Sequence, residues 1–444
     1  MLPQQNQRAA KATASASASS SYSAIYRYST QIFRPDGSSI KVKEELAPLT
    51  KHIRNTILST GPISIAKYMQ TALIIFGRSG DFVTSPEISQ MFGEIMAVWY
   101  VLHWEMLGRP EKTSFMELGP GRGTLMADML RAAKRFPAFA ASIRAVHFIE
   151  RSPELRKMQH EKLGCSWDAD GLTVRWYDLM EEVEGGSDCV PMVMAHEFFD
   201  ALPVYKFEKG AGDQWSEILV DVADSDAAPM AAAANAGKVD ANQLATHFKY
   251  VRSRSVTANA ALALNNPKFS SMFNKGDHVE VSPESARVMT QLADWISANN
   301  GMGLIIDYGQ DWTQGDTFRG IRSHKFANPL SSPGLMDLTA DVDFSYLRYA
   351  AKGRAQCHGP VEQGAFLHAM GIQARLQQLL KSTSDENVQK NLVDCYTRLT
   401  DVQSMGRIYK VLAVLPKSSQ AVPIPFASPS REALNTPKVE KIVR

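Results

Sequence analysis

The stretch Ser114-Phe115-Met116-Glu117-Leu118-Gly119-Pro120-Gly121-Arg122-Gly123-Thr124 decides the fold. Phe115, Met116 and Leu118 are apolar and suit a short strand, with Glu117 at its end. Residues 124–133 are helix formers without Pro or Gly. Between strand and helix, three glycines at alternate positions let the backbone turn sharply and let a ligand approach where a Cβ would stand in the way. The N–H groups at the helix start would face that ligand. A dinucleotide fingerprint needs G-x-G-x-x-G, and the third glycine position of that pattern holds Thr124. What stands is acid-x-G-x-G-x-G. Glu117 would repel a pyrophosphate and attract a cation. S-adenosylmethionine carries an ammonium and a sulfonium and no phosphate, so it fits this charge, with Glu117 near its methionine end. A strand–turn–helix whose glycines only serve packing is the competing interpretation.

A second acid strengthens the cofactor interpretation. The apolar run 143–150, with Val146, Phe148 and Ile149 as core candidates, ends in Glu150, 150 − 123 = 27 residues after Gly123. In a βαβ unit the acid closing the second strand reaches the ribose hydroxyls. Ser152 then caps a further helix with Pro153 at its first position. Strand, glycine turn, helix, strand, acid and helix in this order predict an α/β fold with a Rossmann-like sheet. Gly119, Gly121, Gly123, Glu117 and Glu150 are its cofactor-binding candidates.

Composition limits the alternatives. The 444 residues can bury a full core, and 44% hydrophobic with 21% charged residues fits a globular protein. A formal net charge of +2 gives no reason to invoke nucleic acid. No apolar run is long enough to span a bilayer. Cys165, Cys189, Cys357 and Cys395 form no C-x-x-C pair, so neither a zinc site nor a disulfide framework is suggested.

Residues 1–33 are rich in Ala and Ser and hold Arg8, Lys11 and Arg27 but no acid, the composition of a mitochondrial transit peptide or of a disordered polar tail. Helices are expected over 44–59 and 62–73. Ser85-Pro86-Glu87 reads as the capped start of one long helix bearing Ile88, Met91, Phe92, Ile95, Met96, Trp99 and Leu102 at helical spacing. Its N-terminus, with Thr84 and Ser85, would face the glycine loop if that helix packs beside the first strand. A third strand, 173–177, closes on Asp178, an adenine-side candidate or a solvated turn acid. A fourth, 191–195, enters His196-Glu197-Phe198-Phe199-Asp200. H-E-x-x-H would be zinc protease chemistry, but Asp200 stands at the fifth position and the segment follows a strand, so no metal is expected. Further strands are expected over 214–222, 277–281 and 303–307, the last ending in Asp307. Ser282-Pro283-Glu284 should cap a helix reaching about residue 298. Residues 223–245 read as a flexible insertion, and 417–444 as a disordered tail that follows a methyltransferase domain spanning 34–416.

The longer motifs carry a family resemblance. They are Gly80-Asp81-Phe82-Val83-Thr84-Ser85-Pro86-Glu87-Ile88-Ser89, Glu117 to Thr124, Ala195-His196-Glu197-Phe198-Phe199-Asp200-Ala201-Leu202-Pro203-Val204, Asp307-Tyr308-Gly309 and Leu338-Thr339-Ala340-Asp341-Val342-Asp343-Phe344. Over roughly residues 44–415 the chain resembles the MidA-type mitochondrial S-adenosylmethionine-dependent arginine methyltransferases that assist assembly of respiratory complex I. The resemblance implies symmetric dimethylation of an arginine on a core complex I subunit in the mitochondrial matrix. It implies a Rossmann-like methyltransferase sheet with added helical and β insertions. A cofactor-binding but non-catalytic assembly chaperone is the other class it allows. One departure stands out: a longer family segment, with a Pro and a Gly-Tyr-Tyr, is missing where residues 68–73 run almost directly into 74–77. Methyl transfer to a protonated guanidinium calls for carboxylates that grip it and aim one nitrogen. Glu197 is the candidate clamp, with His196 and Asp200 to orient it or take the released proton.

Overall fold

The computed structural model describes residues 32–33, 39–40, 47–73, 84–167, 172–183, 188–211, 214–223, 247–264, 269, 273–322 and 325–427. The chain divides into two compact units, Met1–Gly61 and Pro62–Arg444. In the first, strands Ile32–Phe33 and Ser39–Ile40 pair antiparallel and one helix runs Pro48–Thr60. The helix begins later than the expected residue 44, because Pro48 suits a first turn, where no N–H partner is needed. Gly61, at φ +87°, ends it.

Seven strands organise the second unit: β1 Thr113–Leu118, β2 Ile143–Ile149, β3 Thr173–Tyr177, β4 Val190–His196, β5 Met302–Gln310, β6 Ala355–Glu362 and β7 Tyr409–Pro416. Their spatial order is β6-β7-β5-β4-β1-β2-β3. β1 to β5 pair in parallel, and β7 runs antiparallel to both its neighbours. The expected Rossmann-like sheet is therefore present. From β1 the chain moves outward to β2 and β3, then returns across β1 to β4. The carboxyl ends of β1 and β4 thus flank the point where strand order reverses, which is where open α/β sheets bind ligands.

All six residues of β1 are buried, as a parallel strand covered on both faces requires. Its side chains alternate between two apolar layers. Phe115 joins Met192, Leu304 and Val411 against Trp99 and Met129, which lie on helices α2 Gln90–Met106 and α3 Thr124–Ala133. Met116 joins Val193, Ile305 and Leu412 against Val288, Leu292 and Ile296 of a helix over Pro283–Ala298. That helix starts as expected, with the Ser282 hydroxyl accepting from the Ser285 N–H at 3.2 Å.

The single long helix expected from Ser85 is two helices. A short α1, Ser85–Ile88, ends at Ser89, whose backbone is extended at φ −159°. The Ser89 hydroxyl accepts from the Met91 N–H at 3.2 Å and starts α2 afresh. Ser85 does not act as a cap: its hydroxyl is buried with no hydrogen-bond partner. Residues 62–73 are also not one helix. Ile63–Ser64 pairs with the strand Trp215–Val222 before the helix Ile65–Leu73 begins.

The added parts sit between strands of the main sheet. Trp215–Val222 belongs to a second sheet with Tyr205–Lys209, Phe248–Arg252 and His278–Val281. Helices Gln363–Ala369, Ile372–Lys381 and Glu386–Thr400 lie between β6 and β7. The segment 417–427, expected as part of a disordered tail, belongs to the fold. Trp99 Nε1 donates to the Ile424 carbonyl at 2.7 Å, and the Phe426 ring lies 5.9 Å from that of Phe366. Residues 74–83, 224–246 and 428–444 lie outside the described residues, and with them the Gly80-Asp81 turn and nearly all of the expected insertion. Among the described residues no helix is long and apolar enough to cross a membrane.

Candidate functional site

The loop after β1 builds one wall of the site. Gly119, Gly121 and Gly123 all lie in the left-handed region, at φ +63°, +52° and +75°. A Cβ on Gly119 would stand 3.0 Å from Phe198 Cδ2, and one on Gly123 3.3 Å from Gln159 Cγ. A Cβ on Gly121 would meet nothing within 4 Å, so Gly121 borders open space. Gln159, fully buried on a helix over Pro153–Trp167, holds this loop: its Nε2 donates to the Gly121 carbonyl at 2.7 Å while its Oε1 accepts from Trp176 Nε1 at 2.8 Å.

The loop after β4 builds the facing wall. Glu197 continues the sheet by one bond, its N–H donating to the Ile306 carbonyl at 3.0 Å, and then turns left-handed at φ +49°. Its carboxylate accepts from Tyr409 Oη at 3.1 Å and is also hydrogen-bonded by the Ser85 backbone. Asp200, three residues on, accepts from Tyr308 Oη and, at 2.8 Å, from Thr339 Oγ1. Asp307, inside β5 near its carboxyl end, is fully buried and accepts three backbone N–H groups, those of Phe199 at 3.0 Å, Asp200 at 3.2 Å and Tyr308 at 3.0 Å.

Between these walls lies an open cleft of about 250 Å³, bordered among others by Thr84, Glu87, Glu117, Gly121, Glu197 and Asp200. Its electrostatics are unusual. Burial pushes the Glu117 carboxyl up to about 8, and Glu117 Oε2 has no hydrogen-bond partner. Burial and then the neighbouring Asp200 push Glu197 up to about 8 as well. Burial raises Asp200, and one of its oxygens also lacks a partner. His196 offers no compensating charge: burial holds it down to about 3, and its Nε2 is unpartnered, 3.7 Å from Glu197 Oε1. Among the described residues no Arg or Lys side chain forms an ion pair with Glu117, Glu197, Asp200 or Asp307. Arg319 acts on Asp200 from a distance, but Glu117 and Glu197 are buried acids with no cation beside them, which is costly, and a cationic ligand relieves that cost.

The expected site residues separate into two groups. Thr84, Glu117, Gly119, Gly121, His196, Glu197 and Asp200 all border the cleft. Ser85 does not border it and reaches it only by its backbone hydrogen bond to Glu197, and Gly123 is packed on Gln159 behind the loop. Glu150 and Asp178 lie at the ends of β2 and β3, outside the cleft walls. Arg156 joins them, donating to the Glu150 carbonyl at 2.6 Å and to Asp178 Oδ1 at 2.5 Å. Asp178 is 62% exposed. Gln159 and Tyr409 were not singled out, since each sits far along the chain from the motif it serves, and Thr339 stood in a quoted motif without a role of its own. Asp307 did carry a signal, an acid closing an apolar strand as Glu150 does, but that signal gave it no role.

A glycine cradle and buried acids at the switch point of a doubly wound sheet define a methyltransferase-type site for a cationic, phosphate-free cofactor. The residues present fit S-adenosylmethionine: open space over Gly121 admits it, and the unpartnered Glu117 oxygen can receive its ammonium. Residues 95–361 match the family model described as S-adenosyl-L-methionine-dependent methyltransferase. The chain is 39% identical over 412 residues to the mitochondrial protein arginine methyltransferase NDUFAF7 homolog of Drosophila melanogaster, covering 86% of this chain and 88% of that one. It is 34% identical over 399 residues to the human mitochondrial protein arginine methyltransferase NDUFAF7, covering 84% of each. Two solved Burkholderia thailandensis structures share the fold. One is 26% identical, with a TM-score of 0.66 over 83% of this chain and 91% of that one. The other, solved with S-adenosyl-homocysteine bound, is 24% identical, with a TM-score of 0.65 over 84% of this chain and 93% of that one. The chain belongs to this family of S-adenosyl-L-methionine-dependent methyltransferases, and S-adenosylmethionine is its cofactor.

Proposed function

We propose that the chain methylates a protein arginine, with Glu197 as the clamp on the guanidinium. The observation that carries this reading is the pair of buried carboxylates, Glu197 and Asp200, that faces the cleft opposite the glycine loop, Glu197 with no cation beside it and Asp200 with only the distant pull of Arg319. A guanidinium is a planar, permanent cation that two carboxylate oxygens can hold by parallel hydrogen bonds, fixing its distance and its plane. The names of the relatives at 34–39% identity, protein arginine methyltransferases, support the same acceptor.

When bound, the cofactor supplies a methyl group made electrophilic by its sulfonium sulfur. The guanidinium nitrogen that accepts the methyl would give up a proton. Asp200 is the better acceptor for that proton, since His196 is held neutral and weakly basic by burial. The Tyr308 and Thr339 hydroxyls fix the Asp200 carboxylate in place. Catalysis here is mostly aim and charge.

The finer assignment is symmetric dimethylation of an arginine on a core subunit of respiratory complex I, in the mitochondrial matrix, in support of complex I assembly. The transit-peptide composition of residues 1–33 and the mitochondrial names of the relatives support the location. Glu197→Gln keeps size and most hydrogen bonding while removing the charge. Arginine methylation should fall by orders of magnitude with cofactor affinity retained, read by label transfer and by isothermal titration. Methylation at the unmutated rate would remove Glu197 as the clamp, and Glu87 would then be the next candidate.

A further inference from the structure

Two of the groups that face the acceptor side of the cleft, Glu197 and Asp200, hang on one turn, residues 197–200. Nothing in that turn's own sequence holds it. Glu197 is not a glycine, yet it stands at φ +49°, a conformation that costs a side-chain-bearing residue on the order of 1 kcal/mol or more. The two N–H groups that close the turn, on Phe199 and Asp200, find no backbone carbonyl. Both donate to Asp307 Oδ2, while Asp307 Oδ1 accepts from the Tyr308 N–H. Asp307 does not itself border the cleft, and it is fully buried.

We infer that Asp307 is a positioning residue for methyl transfer, its carboxylate clamping the 197–200 turn so that Glu197 and Asp200 are aimed into the cleft. This rests on the assignment of Glu197 as the guanidinium clamp. Both oxygens are needed as acceptors. An asparagine could still receive the Phe199 and Asp200 donors on its carbonyl oxygen, but its NH2 would then meet the Tyr308 N–H donor to donor. Turned the other way, it would meet the two turn amides the same way. Either orientation loosens one end of the clamp, and a misplacement of about 1 Å is enough to cost on the order of 100-fold in rate. The Gly121 carbonyl of the glycine loop is held by a separate residue, Gln159, and the turn meets that loop only where Phe198 packs on Gly119, so cofactor affinity should change far less than rate.

The test is a double-mutant cycle on the full chain, with Asp307→Asn, Glu197→Gln and the double variant assayed by transfer of label from S-adenosylmethionine to an arginine-containing protein substrate. Asp307→Asn should lower kcat by about 10- to 100-fold, with the cofactor Kd within a few-fold of the unmutated protein. In the Glu197→Gln background it should cost clearly less than in the unmutated chain, because one of the two groups it aims is already disabled. Losses that multiply in the double variant would overturn the proposal, as would an unchanged kcat in Asp307→Asn. Full activity in Glu197→Gln alone would instead defeat the clamp assignment on which it rests. Amide hydrogen exchange gives a second readout: the Phe199 and Asp200 amides should be protected in the unmutated chain and exchange faster in Asp307→Asn, with Phe115 in β1 unaffected. Should Asp307→Asn bind no cofactor, Asp307→Glu is put through the same cycle, and loss of cofactor binding there too would show a purely structural role and overturn the proposal.

Discussion

Gly121 can be tested apart from its neighbours because it alone of the three loop glycines borders open space. Gly119 and Gly123 are confined by Phe198 and Gln159, so substitution there disturbs packing as well as binding. Gly121→Val adds a branched side chain at φ +52° over the cleft, where β-branched residues are strongly disfavoured. S-adenosylmethionine should raise the Tm of the unmutated protein and leave that of Gly121→Val unmoved; an equal shift in both would place the cofactor elsewhere. At this scale the sequence was informative where one residue type has one use. The alternate glycines and the acid before them were legible, and so were His196, Glu197 and Asp200. The partners that fix those groups were not. Tyr409 lies 212 residues from Glu197 and Thr339 lies 139 from Asp200, and no local pattern joins such pairs before the sheet brings them together.

Elements were legible in type more than in limits. β1 to β5 fall within a few residues of their expected bounds, because buried parallel strands are short apolar runs closed by polar residues. The break between α1 and α2 was hidden by a continuous apolar stripe: one serine hydroxyl outweighs helix propensity at Ser89. The end of the fold was misplaced for a similar reason. Pro and Ser enrichment after Pro416 looks like a tail, yet Ile424 and Phe426 return to the core at Trp99 and Phe366. Removing residues 417–444 would leave the Trp99 indole N–H unpaired and uncover the Phe366 ring, costs of about 1–3 kcal/mol for the donor alone. The truncated chain should melt several degrees lower while still binding cofactor, by thermal denaturation with and without S-adenosylmethionine; an unchanged Tm would show that 417–427 adds nothing to stability.

The whole molecule stores the strain of its site as a pH dependence. Glu117 and Glu197 are raised from 4.5 to about 8 in the folded chain. Between those values the native state keeps protons that the unfolded chain has released. The unfolded state binds fewer, so stability falls as pH rises through this window. Buried His196, lowered from 6.5 to about 3, acts in the opposite sense, but only below 6.5. From about pH 6.5 to 8 the acids act unopposed by this histidine. The free protein should therefore lose stability across that interval by chemical denaturation, and saturating cofactor should flatten the slope by supplying a cation to Glu117. A stability that rises from pH 6.5 to 8 would mean that these acids are ionised in the free protein.

The central claim is methyl transfer to arginine by way of the Glu197 carboxylate. The most direct measurement incubates the purified chain and its Glu197→Gln variant with labelled S-adenosylmethionine and core subunits of complex I, then locates the label by mass spectrometry. Label on a symmetrically dimethylated arginine, lost in the variant while cofactor binding persists, is the predicted result. Label on lysine, label on no residue at all, or equal labelling by the variant would contradict it.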